Sequence, residues 1–120
     1  MKIVSFSGLK FYDDTSKRDM ESMKTNPQKK AIIEHGLQRL DEISGKDTVV
    51  LKTHSHDKDG FNITLRNEAG DSLFGFGYLG QSYKSRIFQK EFADMCDCLY
   101  MTLPEYREGK TTNIFRHFIM

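Results

Sequence analysis

The stretch FNITLR, from Phe61 to Arg66, alternates apolar and polar residues without a break. Successive side chains of a strand point to opposite faces, so Phe61, Ile63 and Leu65 define a dry face and Asn62, Thr64 and Arg66 a wet one. That pattern belongs to a sheet covered on one side only. The neighbouring segments repeat it. In TVVLKTH, starting at Thr48, Val49 and Leu51 share one face while Val50, Lys52 and His54 share the other. In SLFGFGYL, starting at Ser72, Phe74, Phe76 and Tyr78 oppose Gly75 and Gly77. The connecting segments DKDG and NEAGD carry the acidic and glycine residues that tight turns require. Residues 48–79 are therefore predicted to form a three-stranded antiparallel meander.

Two helical patterns flank the meander. Asn26-Pro27 pairs a capping residue with a proline at the first helical position. Ile33, Leu37 and Leu40 then fall on one stripe, edged by Ile32, Gly36 and Ile43, and Gly45 supplies a stop. His35 projects away from that stripe, toward solvent. After the meander, Ser82 or Ser85 caps a second helix whose stripe is Phe88, Phe92, Met95, Leu99 and Leu103, with Pro104 ending it. The remaining segments are short. Residues 2–6 and 9–12 read as strands around Gly8. Residues 13–24 read either as a short helix capped by Asp14 or Thr15, or as a loop. The stretch from Glu105 to Asn113 reads as a loop, and IFRHFIM at 114–120 as a last strand.

A length of 120 residues suits one core, so residues 1–120 are expected to form a single α+β domain. Its two main helices would pack on one face of an antiparallel sheet containing the meander. Apolar residues make up 38% and charged residues 29%, a globular composition. The formal net charge of +1 exerts no long-range pull on nucleic acid or on an anionic membrane. The opening MKIVSFSGLKF has too short an apolar run for a signal peptide, and no stretch approaches a membrane span, so a cytoplasmic location is expected. The two cysteines, Cys96 and Cys98, stand two apart on a helix, where their side chains diverge; reduced thiols near the core are expected.

The densest cluster of chemistry-bearing residues is THSHDKDG, from Thr53 to Gly60. His54 and His56 point the same way on a strand, and Asp57 or Asp59 could add an oxygen ligand. A third fixed ligand is missing, and a calcium loop would need an oxygen where Phe61 stands, so no metal is expected there. Convergence of His54, His56 and His117 would suit metal-independent RNA cleavage by paired imidazoles. GFGYLG, from Gly75 to Gly80, places its glycines inside a strand, where a dinucleotide loop would place them between strand and helix. No nucleophile elbow or phosphate-cradling loop occurs, and no cofactor is expected.

The helix, three strands, helix order resembles, in outline, the double-stranded-RNA-binding domain. That resemblance implies phosphate contacts from Lys84, Arg86 and Lys90 at the start of the second helix. The paired lysines of that family's motif are absent, and Glu91 and Asp94 follow closely.

With no catalytic constellation, the leading expectation is a protein-interaction module. It would be an inhibitor or immunity-type protein of bacterial or phage character that binds a partner protein. The expected surface combines the wet face of the meander, with Lys52, His54 and Arg66, and the loop bearing Tyr106 and Arg107. A nucleic-acid-binding module is the alternative, and a small nuclease stands third.

Overall fold

The computed structural model describes residues 7–55, 59–79 and 86–110. The chain runs β1 (Leu9–Phe11), α1 (Asp14–Ser22), α2 (Pro27–Ser44), β2 (Thr48–Ser55), β3 (Asp59–Arg66), β4 (Ser72–Leu79) and α3 (Arg86–Arg107). The sheet order is β1-β2-β3-β4. The expected α+β class and the meander are both observed, but the sheet is mixed: β1 runs parallel to β2, with Leu9 beside Val49 and Phe11 beside Leu51. A parallel neighbour requires a crossover, and α1 and α2 provide it.

Local chemistry sets the element ends. The residues left between helix and loop form α1, capped by Asp13 and not by Asp14 or Thr15; the Asp13 side chain accepts from Ser16 N–H at 2.7 Å. Met20 and Met23 turn into the core, which gives this polar segment its reason to be helical. Asn26 caps α2 by accepting from Lys29 N–H at 2.9 Å, and Gly45 ends it with φ of 59°. Pro104 does not end α3. It lacks only its own N–H, and its carbonyl accepts from Glu108 N–H at 3.1 Å. The helix closes at Gly109, φ 75°, where Gly109 N–H reaches Tyr106 O at 3.1 Å and Lys110 N–H reaches Glu105 O at 2.9 Å. Glu105, Tyr106 and Arg107 are therefore helical and not part of a loop.

The dry face is closed by helices. Val49, Leu51, Phe61, Ile63 and Leu65 are buried against Ile33, Leu37, Leu40, Phe92, Met95 and Leu99. The Phe61 and Phe92 rings meet edge to face at 5.3 Å. Gly36 lets α2 and α3 approach closely: a Cβ there would stand 2.6 Å from Cε2 of Phe92. Ile32 stays on the rim, 38% exposed. The register sets Phe74 opposite Leu65 and Phe76 opposite Ile63, as the meander requires. The side chains of Phe74, Phe76, Tyr78 and Phe88 lie outside the described set, as do residues 2–6, the capping serines Ser82 and Ser85, and the segment 114–120.

A three-residue β1 cannot cover the edge of an eight-residue β2. Side chains of α1 and α2 complete the work. Asp41 of α2 accepts from the N–H groups of Gly8 and Leu9 at 2.8 and 3.0 Å, fixing where β1 begins. Beyond the end of β1, Ser16 Oγ accepts from Thr53 N–H at 3.1 Å, and Thr53 Oγ1 donates to Asp19 at 2.5 Å. Helix α1 thus replaces the missing strand as hydrogen-bond partner.

Candidate binding face

Strand alternation leaves a second sheet face that no helix covers among the described residues. Its positions are Lys10 on β1, Val50, Lys52 and His54 on β2, and Asn62, Thr64 and Arg66 on β3. The register places Lys10 beside Val50, Val50 beside Thr64, and Lys52 beside Asn62. Here the face sinks into an open groove of about 460 Å³, lined by Lys10, Tyr12, Val50, Lys52, Thr64 and Arg66 among others.

The groove is cationic. Among the described residues, Lys10, Lys52 and Arg66 form no ion pair, and no carboxylate occupies a position on this face. The Lys52 ammonium lies 4.5 Å from the centroid of the Tyr12 ring, which is 60% exposed. Arg66 donates to Gly70 O at 3.0 Å, which holds its guanidinium at the end of the groove. Asp13 stands at the rim. Hydrogen bonds from Ser16 hold its carboxyl below the ordinary aspartate value, and Lys52 adds a smaller attraction.

Beside the groove, β4 contributes glycine at Gly75 and Gly77, opposite Thr64 and Asn62. A Cβ on Gly77 would collide with Oδ1 of Asn62, whereas one on Gly75 would meet Thr64 Oγ1 at 3.4 Å. The glycine at position 77 makes room for the Asn62 carboxamide, and the pair leaves a low wall of bare backbone.

The expected site residues separate into groups. Lys52, His54 and Arg66 share the uncovered face. Tyr106 and Arg107 do not join them; they sit at the end of α3, in the helical layer. Tyr106 packs against the core, and Arg107 donates to Ser44 O at 2.9 Å and to the buried Asp47 carboxylate at 3.1 Å, clasping α3 to the α2–β2 junction. Of the alternative phosphate-binding set, Lys84 and the Arg86 side chain lie outside the described residues, and Lys90 pairs with Asp94 at 2.9 Å. That contact raises the Lys90 pKa. His56, Asp57 and His117 also lie outside the described residues. Of the expected DKDG turn, Asp59 and Gly60 belong to β3, opposite Ser55 and His54.

Lys10, Phe11 and Tyr12 are the groove residues that sequence reasoning missed. Their place depends on β1 lying parallel to β2. His35 is not simply solvated: it meets Asp97 of α3 at 2.8 Å, and Arg39 adds a contact to Asp97 at 3.3 Å and a stacked contact with Tyr100. This cluster staples the outer edges of the two helices.

Other chemistries find little support in the described part of the chain. No group of three or more His, Cys, Asp or Glu side chains there could hold a metal. Cys96 and Cys98 are buried free thiols, and burial, with a smaller contribution from Asp97, pushes the Cys96 thiol well up, away from nucleophilic thiolate character. No helix there is long and apolar enough to cross a membrane. Comparison with family models, with curated proteins and with solved structures finds no match to this chain.

Proposed function

We propose that this chain acts by binding a partner protein, as an inhibitor or immunity-type protein does, and that its working surface is the uncovered sheet face. The observation that carries this reading is the groove. It gathers three cations that form no ion pair among the described residues, an exposed tyrosine and bare strand backbone on one sheet face. Tyrosine and arginine are the side chains that most often anchor protein interfaces. The two buried reduced cysteines accord with work in a reducing compartment such as the cytoplasm. A nucleic-acid reading draws on the same groove as well as on the start of α3, where Lys90 pairs with Asp94 while Lys84 and the Arg86 side chain lie outside the described residues.

Affinity capture from extracts of the source cells, followed by calorimetry on the captured component, tests the proposal. A protein partner is expected whose affinity falls at least about tenfold with Lys52→Ala/Arg66→Ala. Capture of RNA or DNA, lost on nuclease treatment, would overturn the reading. A Tyr106→Ala/Arg107→Ala variant is a poor probe of binding, because Arg107 holds the fold together.

A further inference from the structure

The proposed binding face has a charge pattern that specifies its ligand. We infer that the groove receives an extended acidic segment of the partner, with carboxylates at alternating positions. This rests on the binding reading above and deepens it.

The first ground is charge complementarity. On the helical layer, Arg39, Lys90 and Arg107 each have a carboxylate partner within the chain. On the open face Lys10, Lys52 and Arg66 form no ion pair, and among the described residues no carboxylate holds a position there; Asp13 stands at the rim and attracts Lys52 weakly. Balanced against so many acids elsewhere, with 17 Asp and Glu to 18 Lys and Arg, this segregation of cations is local. It acts at contact range and not through a long-range field.

The second ground is spacing. Lys10 stands beside Val50 on the neighbouring strand, two positions from Lys52. Strand geometry puts their Cα atoms roughly 8 Å apart. Alternate side chains of an extended peptide recur about every 7 Å on one face. An Asp/Glu-x-Asp/Glu segment therefore presents its carboxylates at the interval at which this sheet presents its ammonium groups. Arg66, roughly 12 Å from Lys10 by the same geometry, offers a fork for a further carboxylate. The glycine wall of β4 leaves room for peptide backbone to lie close.

The aromatic content decides against a single-stranded nucleic acid. Such ligands are held by several stacked bases along a cationic track. Tyr12 is the one aromatic exposed on this face among the described side chains, and Lys52 already sits over its ring. The same charges also disfavour a partner that presents a cationic nucleic-acid cleft, since like charges would then meet.

Random dodecapeptides displayed on phage and panned against the whole chain supply the test. The winning peptide, its Asp/Glu→Asn/Gln counterpart and an oligothymidylate of similar length are then titrated while backbone amide resonances are followed. Expected are enriched peptides with acidic residues at alternate positions and resonance shifts at Lys10, Lys52, Asn62 and Thr64. Binding should be at least about tenfold weaker both for the amide peptide and for the Lys10→Gln/Lys52→Gln/Arg66→Gln variant. Absence of enrichment, or acidic peptides that shift resonances elsewhere, would overturn the inference. Peptides without acidic residues that bind this face would overturn it too, while leaving the protein-binding reading intact. Oligothymidylate binding this face more tightly than any selected peptide would overturn both.

Discussion

The two faces of the sheet come from the same strands, residue by residue, yet they obey different rules. On the dry face Phe61, Ile63 and Leu65 are each 1% exposed or less, and Phe92 meets Phe61 edge to face. Close packing there leaves no room for change. On the other face Lys52, Asn62 and Thr64 are partly exposed, the neighbours are glycines, and the cations form no ion pair among the described residues. The first face is built for stability. The second retains what stability does not need, and that is where binding chemistry can be placed.

Truncation of the dry face should give the largest effect. Phe92→Ala removes a fully buried ring and should cost about 3–5 kcal/mol in denaturant unfolding, against a total of roughly 5–15 for a domain of this kind. Unchanged stability would mean that α3 does not pack as described. Gly36→Ala is the sharper probe. Helix propensity alone favours alanine by about 1 kcal/mol, but the added methyl would drive into the Phe92 ring. The clash should win, for a net loss of about 1–3 kcal/mol in the same measurement; a gain would show that the helices can separate freely.

The pH response of the rim is a smaller effect. The Asp13 carboxyl is held below its ordinary value chiefly by the Ser16 hydrogen bonds. A depressed folded-state pKa contributes stability above the unfolded value, about 3.9, and loses it as pH falls through the folded value. Asn caps a helix as well as Asp but does not titrate. The advantage of the natural chain over Asp13→Asn should therefore shrink as acid is added below about pH 4 in chemical unfolding. An advantage independent of pH would dissociate the cap from its charge.

The smallest effect on stability belongs to the open face. Lys10→Gln/Lys52→Gln/Arg66→Gln should keep unfolding free energy within about 0.5 kcal/mol per substitution, as surface changes away from the core do. It should nevertheless abolish most ligand binding. Substantial destabilisation by this variant would erase the contrast between the faces.

Much of this was legible in the sequence because it is periodic. The alternation from Phe61 to Arg66 and the stripes of α2 and α3 each follow from one side-chain repeat. Asn26-Pro27 and Gly45 mark the ends of α2 chemically. Other features had no local signal. The polar segment Asp14–Ser22 becomes helical because Met20 and Met23 find the core. Pro104 reads as a stop but is accommodated because α3 has a complete glycine-based closure one turn later. A strand followed by two helices before the next strand does hint at a parallel neighbour, though which edge it joins is settled by Asp41 and Ser16, both distant in sequence.

The candidate site divides in the same way. Lys52, His54 and Arg66 could be placed together on the wet face from alternation alone, since residues two apart on a strand share a face whatever the fold. Tyr106 and Arg107 could not be judged that way. Their side chains serve the core and the buried Asp47, a contact between residues 60 apart. Lys10 and Tyr12 join the groove only because β1 docks parallel to β2. Within the periodic strands and helices, the sequence by itself determined which residues face water and which face the core, because there it depends on a local repeat. Which of the water-facing residues become neighbours was decided by the tertiary structure, because hydrogen bonds and packing between segments far apart in the chain set strand order and register.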